Sequence, residues 1–254
     1  MTNLEKSFIN GIVCVMNEKV EYPIRINRYL YINNICSRRE ADRMIEKGQI
    51  YVNGQKAVLG QKVEESDEVT LSGHARKKVG NYVYYVVNKP RGIESHGVGT
   101  DSEDIISKLE LTEKVSVVGR LDKDSSGLLL LTNDGRIVDK MLNPKYDHEK
   151  EYVVKVDKDL KESFKRKMES GVNIEGYVTK PARITVTASR LFRITLTEGK
   201  KHQIRRMLAA LGYTTIKLKR VRIMNILLEK LKEGEYRKLT GTEKDVLLKS
   251  LDII

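Results

Sequence analysis

The chain has 254 residues, of which 47 are Lys or Arg and 35 are Asp or Glu, leaving a formal charge of +12 and a pI near 9.5. Acids interspersed among the bases mark a folded surface rather than a disordered polycation, and the excess points to a polyanionic partner. The early apolar stretch from Ile12 to Met16 is far shorter than the roughly 20 residues of a membrane span and lacks the flanks of a signal peptide. The two cysteines, Cys14 and Cys36, show no CxxC or Cys/His spacing, which argues against a disulfide framework and structural zinc and fits a reducing cytoplasm.

The length predicts a small module beside a larger one. Residues 1–22 carry no clear period and are expected to form an N-terminal extension. Tyr29, Leu30 and Ile32 then predict a short helix ending near Asn33-Asn34, whose side chains tolerate turn conformations. Ser37-Arg38-Arg39-Glu40 has capping-box spacing, and Ala41, Met44 and Ile45 supply the apolar stripe of a second helix closed by Gly48. Asn53-Gly54, flanked by Ile50 to Val52 and the segment after Gln55, predicts a hairpin because both residues accept positive φ. Glu68 to Leu71 reads as a further strand. The basic run Arg76-Lys77-Lys78 reads as a linker, which places the boundary near residues 75–80: a first domain over 23–75 and a second over 80–245.

The second region opens with the apolar run Tyr82 to Val87. Strands are expected at Val115 to Val118, Leu128 to Leu131, Tyr152 to Val156, Ile184 to Val186, Phe192 to Thr197 and Thr215 to Leu218. Helices are expected where Ile137, Val138, Met141 and Leu142 share a face, where Leu160, Phe164 and Met168 do, and where Ile204, Met207, Leu208 and Leu211 do before Gly212. Without a regular βαβ alternation, the pattern favours an α+β domain with a mixed, largely antiparallel sheet flanked by helices.

Chemistry-bearing residues concentrate in a few segments. Arg25, Arg28, Arg38, Arg39, Arg43 and Lys47 crowd the two-helix unit, where Arg39 and Arg43 lie one turn apart opposite the apolar stripe; this is either a phosphate-reading face or a solvated helix surface. Asn88-Lys89-Pro90-Arg91-Gly92 is a turn ending a strand. In Gly119-Arg120-Leu121-Asp122-Lys123-Asp124-Ser125-Ser126-Gly127, a hydrophobic strand delivers Arg120 and Asp122 into a polar loop before the leucine run. A loop held between two buried strands is anchored yet reachable. On composition alone, Asp122 and Asp124 as mere turn-formers stand beside that reading. Glu149-Lys150-Glu151-Tyr152 starts a strand with one aromatic. From Lys200 to Arg222 eight Lys or Arg occur without one acid, beginning with Lys200-Lys201-His202-Gln203-Ile204-Arg205-Arg206.

Arg25-Ile-Asn-Arg-Tyr-Leu, Cys36-Ser-Arg-Arg-Glu-Ala, Ile45-Glu-Lys-Gly and Tyr51-Val-Asn-Gly together resemble the S4 RNA-binding domain, with Asn34 where that family usually has Gly in the turn between helices. Gly119-Arg-Leu-Asp followed by Ser125-Ser-Gly-Leu-Leu-Leu-Leu-Thr-Asn-Asp-Gly, with the segments around Tyr152 and Lys200, resembles the pseudouridine synthases in their S4-bearing RsuA/RluB/RluE/RluF branch. His148-Glu-Lys-Glu-Tyr, Gly176-Tyr-Val-Thr-Lys and Arg222-Ile-Met-Asn-Ile are most similar to its large-subunit ribosomal RNA members. One departure lies at Ser95-His96, where relatives more often have Ser-Thr.

The resemblance implies isomerisation of uridine in structured RNA, most of all 23S ribosomal RNA with transfer RNA as the alternative, by a cytoplasmic monomer that needs no cofactor or metal. It maps the catalytic aspartate to Asp122, its ion-pair partner to Arg205 and the active-site tyrosine to Tyr152. An aspartate is anionic at neutral pH, whereas a tyrosine needs help to act as a base. The expected RNA contacts are Arg25, Arg28, Ser37, Arg38, Arg39, Arg43, Asn53, Lys89, Arg120, Lys200, Lys201 and Arg206. Two rivals are a non-catalytic RNA-binding factor, which would use the same basic surfaces, and a glycoside hydrolase acting through Asp122 and Asp124, which the basic charge disfavours.

Overall fold

A computed structural model describes residues 6–9, 12–15, 20–78, 81–96 and 104–254. They fall into two compact units, one of Met1–Tyr82 with Asp134–Ile137 and Ile253, the other of Val83–Asn133, Val138–Asp252 and Ile254.

In the first unit, β1 (Lys6–Ile9) and β2 (Ile12–Val15) pair antiparallel, where the sequence reading expected an extension without elements. Asn10-Gly11, a hairpin signal, separates the two runs in sequence. After β3 (Ile24–Arg25) come α1 (Ile26–Ile32) and α2 (Arg38–Glu46). Asn34 turns the chain between them at φ 55°, the left-handed conformation for which Asn is a good substitute for Gly. The Ser37 hydroxyl accepts from the Glu40 amide at 3.3 Å, so the expected cap forms. Then follow β4 (Ile50–Val52), β5 (Gln55–Lys56), β6 (Lys62–Val63) and β7 (Val69–Leu71), in sheets ordered β5-β4-β7 and β3-β6. Asn53 and Gly54 turn β4 into β5 at φ 50° and 79°. Leu30, Ala41, Ile50, Val63 and Val69 are among the residues that fill the core between helices and strands. The basic run expected as a linker is instead the end of α3 (Gly73–Lys78). Ser72 Oγ accepts from the Ala75 amide at 3.3 Å and Ala75 is buried, so a cap and one packed residue outweigh the charge run.

The second unit is built on a nine-stranded sheet, with a separate two-stranded one and helices. Its elements are β8 (Tyr84–Lys89), β9 (Ser116–Val118), β10 (Ser126–Thr132), α4 (Arg136–Leu142), β11 (Lys150–Val156), α5 (Phe164–Glu169), β12 (Asn173–Ile174), β13 (Tyr177–Val178), β14 (Arg183–Ala188), β15 (Leu191–Leu196), α6 (Gln203–Ala210), β16 (Thr215–Ile223), β17 (Ile226–Leu227), β18 (Tyr236–Lys238) and α7 (Gly241–Ser250). The order is β14-β15-β11-β16-β10-β8-β18, with β9 beside β10 and β17 beside β16. Among the described strands β10 and β16 alone pair in parallel, through Ser126↔Lys219 and Gly127↔Arg220. This is the mixed, largely antiparallel α+β sheet expected.

The central strands explain the apolar runs. Leu128, Leu129, Leu130 and Leu131 are all buried, as a strand covered on both faces requires. Each such side chain stabilises by roughly 1.5–3 kcal/mol relative to exposure, so the downstream end of the Asp122 loop is firmly fixed. Phe164 of α5 meets Phe192 and Tyr213 edge-on, with ring centroids 4.9 and 5.3 Å away. The pairs β12–β13 and β17 escape the sequence reading because two-residue strands have no period. α7 escapes it too, since Leu247 and Leu248 are its buried residues. Among the described residues no helix is long and apolar enough to cross a membrane.

Candidate active site and basic cleft

Asp122 lies in the loop from β9 to β10, and that loop is held residue by residue. Arg220 Nη1 donates to the Arg120 carbonyl at 3.4 Å. Ser95 Oγ accepts from the Leu121 amide at 2.9 Å and donates to its carbonyl. The Ser125 amide donates to the Asp122 carbonyl at 3.0 Å, and the Gly92 amide to that of Lys123 at 2.8 Å. Arg205 Nη2 donates to the Asp124 carbonyl at 3.0 Å and Ser125 Oγ at 3.3 Å. Backbone bonds therefore fix the turn, while the Asp122 carboxylate stays outside that network, with 35 % of its side chain exposed. A side chain aimed by a rigid frame and reachable from solvent is what a reacting group needs.

Three further findings correct or extend the sequence reading. Arg205 is in the site but does not pair with the Asp122 carboxylate; its guanidinium binds the loop two and three residues on, because donors of a planar fork meet the Asp124 carbonyl and the Ser125 hydroxyl there. The partner of Asp122 is His202, whose Nε2 lies 3.4 Å from Oδ1. His202 adopts the left-handed conformation at φ 53° as the residue that opens α6, an uncommon geometry of the kind that gathers at functional sites. The helix start is anchored below by the buried Glu198, which accepts from Gln203 Nε2 at 2.7 Å and the Tyr177 hydroxyl at 2.6 Å. Ser95, His202, Glu198 and Gln203 all lie in segments that stand out in the sequence, yet nothing in their spacing announces these contacts.

Tyr152 is buried in β11, in the same hydrophobic cluster as Leu121, the neighbour of Asp122. The start of β11 is held by Arg222, which binds Glu149 at 2.8 Å and Glu151 at 3.0 Å.

Lys89, expected among the RNA contacts, is instead 0 % exposed. Its ammonium donates to the carbonyls of Pro90 at 3.0 Å and Ile93 at 2.6 Å, with that of Lys123 at 3.5 Å; three inward carbonyls outcompete solvent. Burial lowers its pKa to about 8, against the pull of the Asp122 and Asp124 carboxylates. Between about pH 8 and its ordinary value the folded state releases this proton while the unfolded state keeps it, so stability from this group rises with pH across that window. Lys89→Met is expected to lose about 2–4 kcal/mol at pH 7 by leaving carbonyls unpaired. In urea unfolding at a series of pH values, the gap between wild type and variant should widen above pH 8; parallel curves would refute this account.

The remaining expected contacts divide. Arg120, Lys200 and Lys201 are exposed, and Lys200 lies over the Tyr177 ring at 4.6 Å. Arg206 is bound to Glu175 at 2.7 Å. In the first unit, Arg25, Arg28 and Arg38 line a cleft of about 740 Å³ together with Lys62, whereas Arg39 and Arg43 lie exposed on α2, with Arg43 paired to Glu40 at 2.7 Å. Ser37 serves as a helix cap, and Asn53 binds Asp67 at 2.8 Å and the Glu68 amide at 2.9 Å. Both are thus engaged within the fold. Cys36 is a free, buried core residue whose thiol is raised to about 12 by burial and then by Glu40; Cys14 lies outside the described side chains. Among the described residues no group of three or more His, Cys, Asp or Glu is arranged to hold a metal ion.

A basic helix-helix-hairpin module together with an α+β domain that presents one framed carboxylate defines an RNA-modifying enzyme. Residues 83–210 match the family model described as RNA pseudouridylate synthase, and residues 24–69 match that of the S4 domain. The chain belongs to the RNA pseudouridylate synthase family, in the form that carries an S4 domain. It is 43% identical over 231 residues to the dual-specificity RNA pseudouridine synthase RluF of Escherichia coli (strain K12), covering 90% of this chain and 80% of that one. It is 34% identical to the ribosomal large subunit pseudouridine synthase B of Bacillus subtilis (strain 168), covering 86% and 93%. A crystal structure of a pseudouridylate synthase superposes with a TM-score of 0.65 at 29% identity, over 88% of this chain and 99% of that chain.

Proposed function

We propose that this enzyme converts a uridine of structured large-subunit (23S) ribosomal RNA to pseudouridine, with Asp122 as the acting carboxylate. The observation that carries the assignment is the frame around Asp122: backbone bonds hold the loop from Arg120 to Ser125 while the carboxylate remains reachable. The ribosomal target follows the name of the Bacillus relative. The dual specificity named for the E. coli relative supports a second RNA substrate, for which transfer RNA is the class to test. The enzyme works as a cytoplasmic monomer without cofactor.

Isomerisation breaks the bond from N1 to C1′, turns the uracil, joins C5 to C1′ and loses the C5 proton to solvent while N1 takes one up, with no redox change. The target base is flipped out of its stack at a cost of a few kcal/mol, offset by phosphate contacts of the basic surfaces. Asp122 acts on the sugar, at C1′ or at the C2′ proton. Arg205 holds the loop that aims it, and Tyr152, in the same hydrophobic cluster as Leu121, meets the uracil. The exposed Arg120, Lys200 and Lys201 meet phosphates around the target.

The test is tritium release by the pure protein from RNA carrying 5-tritiated uridine, with pseudouridine mapping of the product. Release with one modified 23S position is the expected result. No release from ribosomal or transfer RNA would sink the assignment, and release from transfer RNA alone would move the target.

A further inference from the structure

Arg220 is buried and has no part in the chemistry assigned above, yet it binds the chain on both sides of Asp122 and pairs with the strand of Tyr152. It stands in β16 opposite Gly127 of β10 and opposite Tyr152 of β11. Its backbone thus lies between the second residue of β10, just past the Asp122 loop, and the strand position of the tyrosine. The approach on the β10 side is so close that a Cβ on Gly127 would lie 2.2 Å from the Arg220 carbonyl oxygen. The side chain then passes under the loop: Nε donates to the Leu128 carbonyl at 2.7 Å and Nη1 to the Arg120 carbonyl at 3.4 Å. One carbonyl precedes the loop's aspartate and the other follows it.

A structural role alone accounts poorly for this residue. Arg220 is 4 % exposed, and it makes no ion pair among the described residues. Its Nη2 is enclosed without a hydrogen-bond partner. A buried cation without a carboxylate and with a donor unmet is destabilising relative to an apolar side chain of similar volume. What the guanidinium supplies in return is geometry. Two donors on one rigid plane set the distance between two carbonyls, which the single point charge of a lysine does not reproduce.

We propose that Arg220 is a positioning residue for the isomerisation: by bridging the carbonyls of Arg120 and Leu128 from the strand beside Tyr152, it sets the pose of Asp122 against the tyrosine. The proposal rests on the reading of Asp122 as the acting carboxylate. A displacement of about 1 Å in such a site costs about 10²-fold in rate.

Arg220→Lys and Arg220→Gln are compared with wild type in single-turnover tritium release from 5-tritiated uridine RNA, in filter binding of the same RNA, and in thermal melting. Both variants are expected to lose about 10²-fold in the single-turnover rate constant while the Kd for RNA stays within about threefold and the protein melts cooperatively above the assay temperature. Wild-type rates in both variants would overturn the proposal. So would a loss matched by an equal fall in RNA affinity or in folded fraction, which is what a merely structural role gives. If neither variant folds, the Arg220 Nε–H resonance of the wild-type protein decides: it is expected to shift when substrate RNA binds and to stay put with RNA lacking the target uridine, and an unmoved resonance overturns the proposal. Asp122→Asn run in parallel separates the two claims, since turnover retained there removes the reading of the site itself, whereas turnover lost there and kept in the Arg220 variants removes only this inference.

Discussion

Replacing Asp122 with Asn is expected to abolish tritium release, a fall of at least about 10⁴-fold in the single-turnover rate, while folding and RNA affinity persist. The exchange is isosteric, and the loop does not depend on the carboxylate for its shape. Its turn is closed by the Asp122 carbonyl and the Ser125 amide, and its neighbours are held by Ser95, Gly92 and Arg205. The charged or titratable side chain the carboxylate meets among the described residues is His202, at 3.4 Å and half exposed, so stability should change by less than about 1 kcal/mol. Asp124→Asn is the matched control. That carboxylate is 71 % exposed and reaches Arg91 only at 3.8 Å, so its variant should keep activity within a few-fold. Equal losses at both positions would favour a pair of carboxylates working together, and full activity in Asp122→Asn would remove the assigned group.

The second large effect is expected on RNA affinity. Arg25, Arg28 and Arg38 line one cleft with Lys62 and the acid Glu21, a concave surface whose four cations against one carboxylate give it the charge that a phosphate chain requires. Replacing the three arginines with Ala should weaken RNA binding by about 10²-fold at physiological salt and reduce the slope of log K against log salt by about 2–3, since each neutralised phosphate contributes about 0.7–0.9. All three are exposed, so the melting temperature should hold, and turnover at saturating RNA should be retained because the loop of Asp122 belongs to the other unit. Arg39→Ala with Arg43→Ala should cost less, as Glu40 already pairs with Arg43 at 2.7 Å. An unchanged salt slope in the cleft variant would rule out the cleft as the phosphate track.

Much of the molecule was legible without coordinates because its local signals are strong. The cap at Ser37, the turn at Asn53-Gly54, the left-handed Asn34 and the buried leucine run each have one cheap backbone solution, and each forms as expected. The pairing of β1 with β2 and the helix ending in Arg76-Lys77-Lys78 were missed because a few residues without period carry little information; a cap and one buried alanine settle α3.

What the sequence by itself determined is the ordering of a basic S4 module and an α+β domain, together with Asp122 as the residue a loop would present. The element order depends on neighbours in the chain, where spacing and side-chain chemistry act directly, whereas the S4 module and Asp122 were singled out by the resemblance of whole motifs, since composition alone left a basic helix face and a turn-forming acid as equal or better readings. Only the tertiary structure decided what surrounds that aspartate. Lys89 became a buried tie to carbonyls rather than an RNA contact, Arg205 a brace for the loop, His202 the partner of the carboxylate and Arg220 the bridge beneath it. In each case the partner is at least 80 residues away or is a backbone carbonyl, and a carbonyl is present at every position of every chain. No pattern of side chains can say which of them will turn inward to meet a given cation.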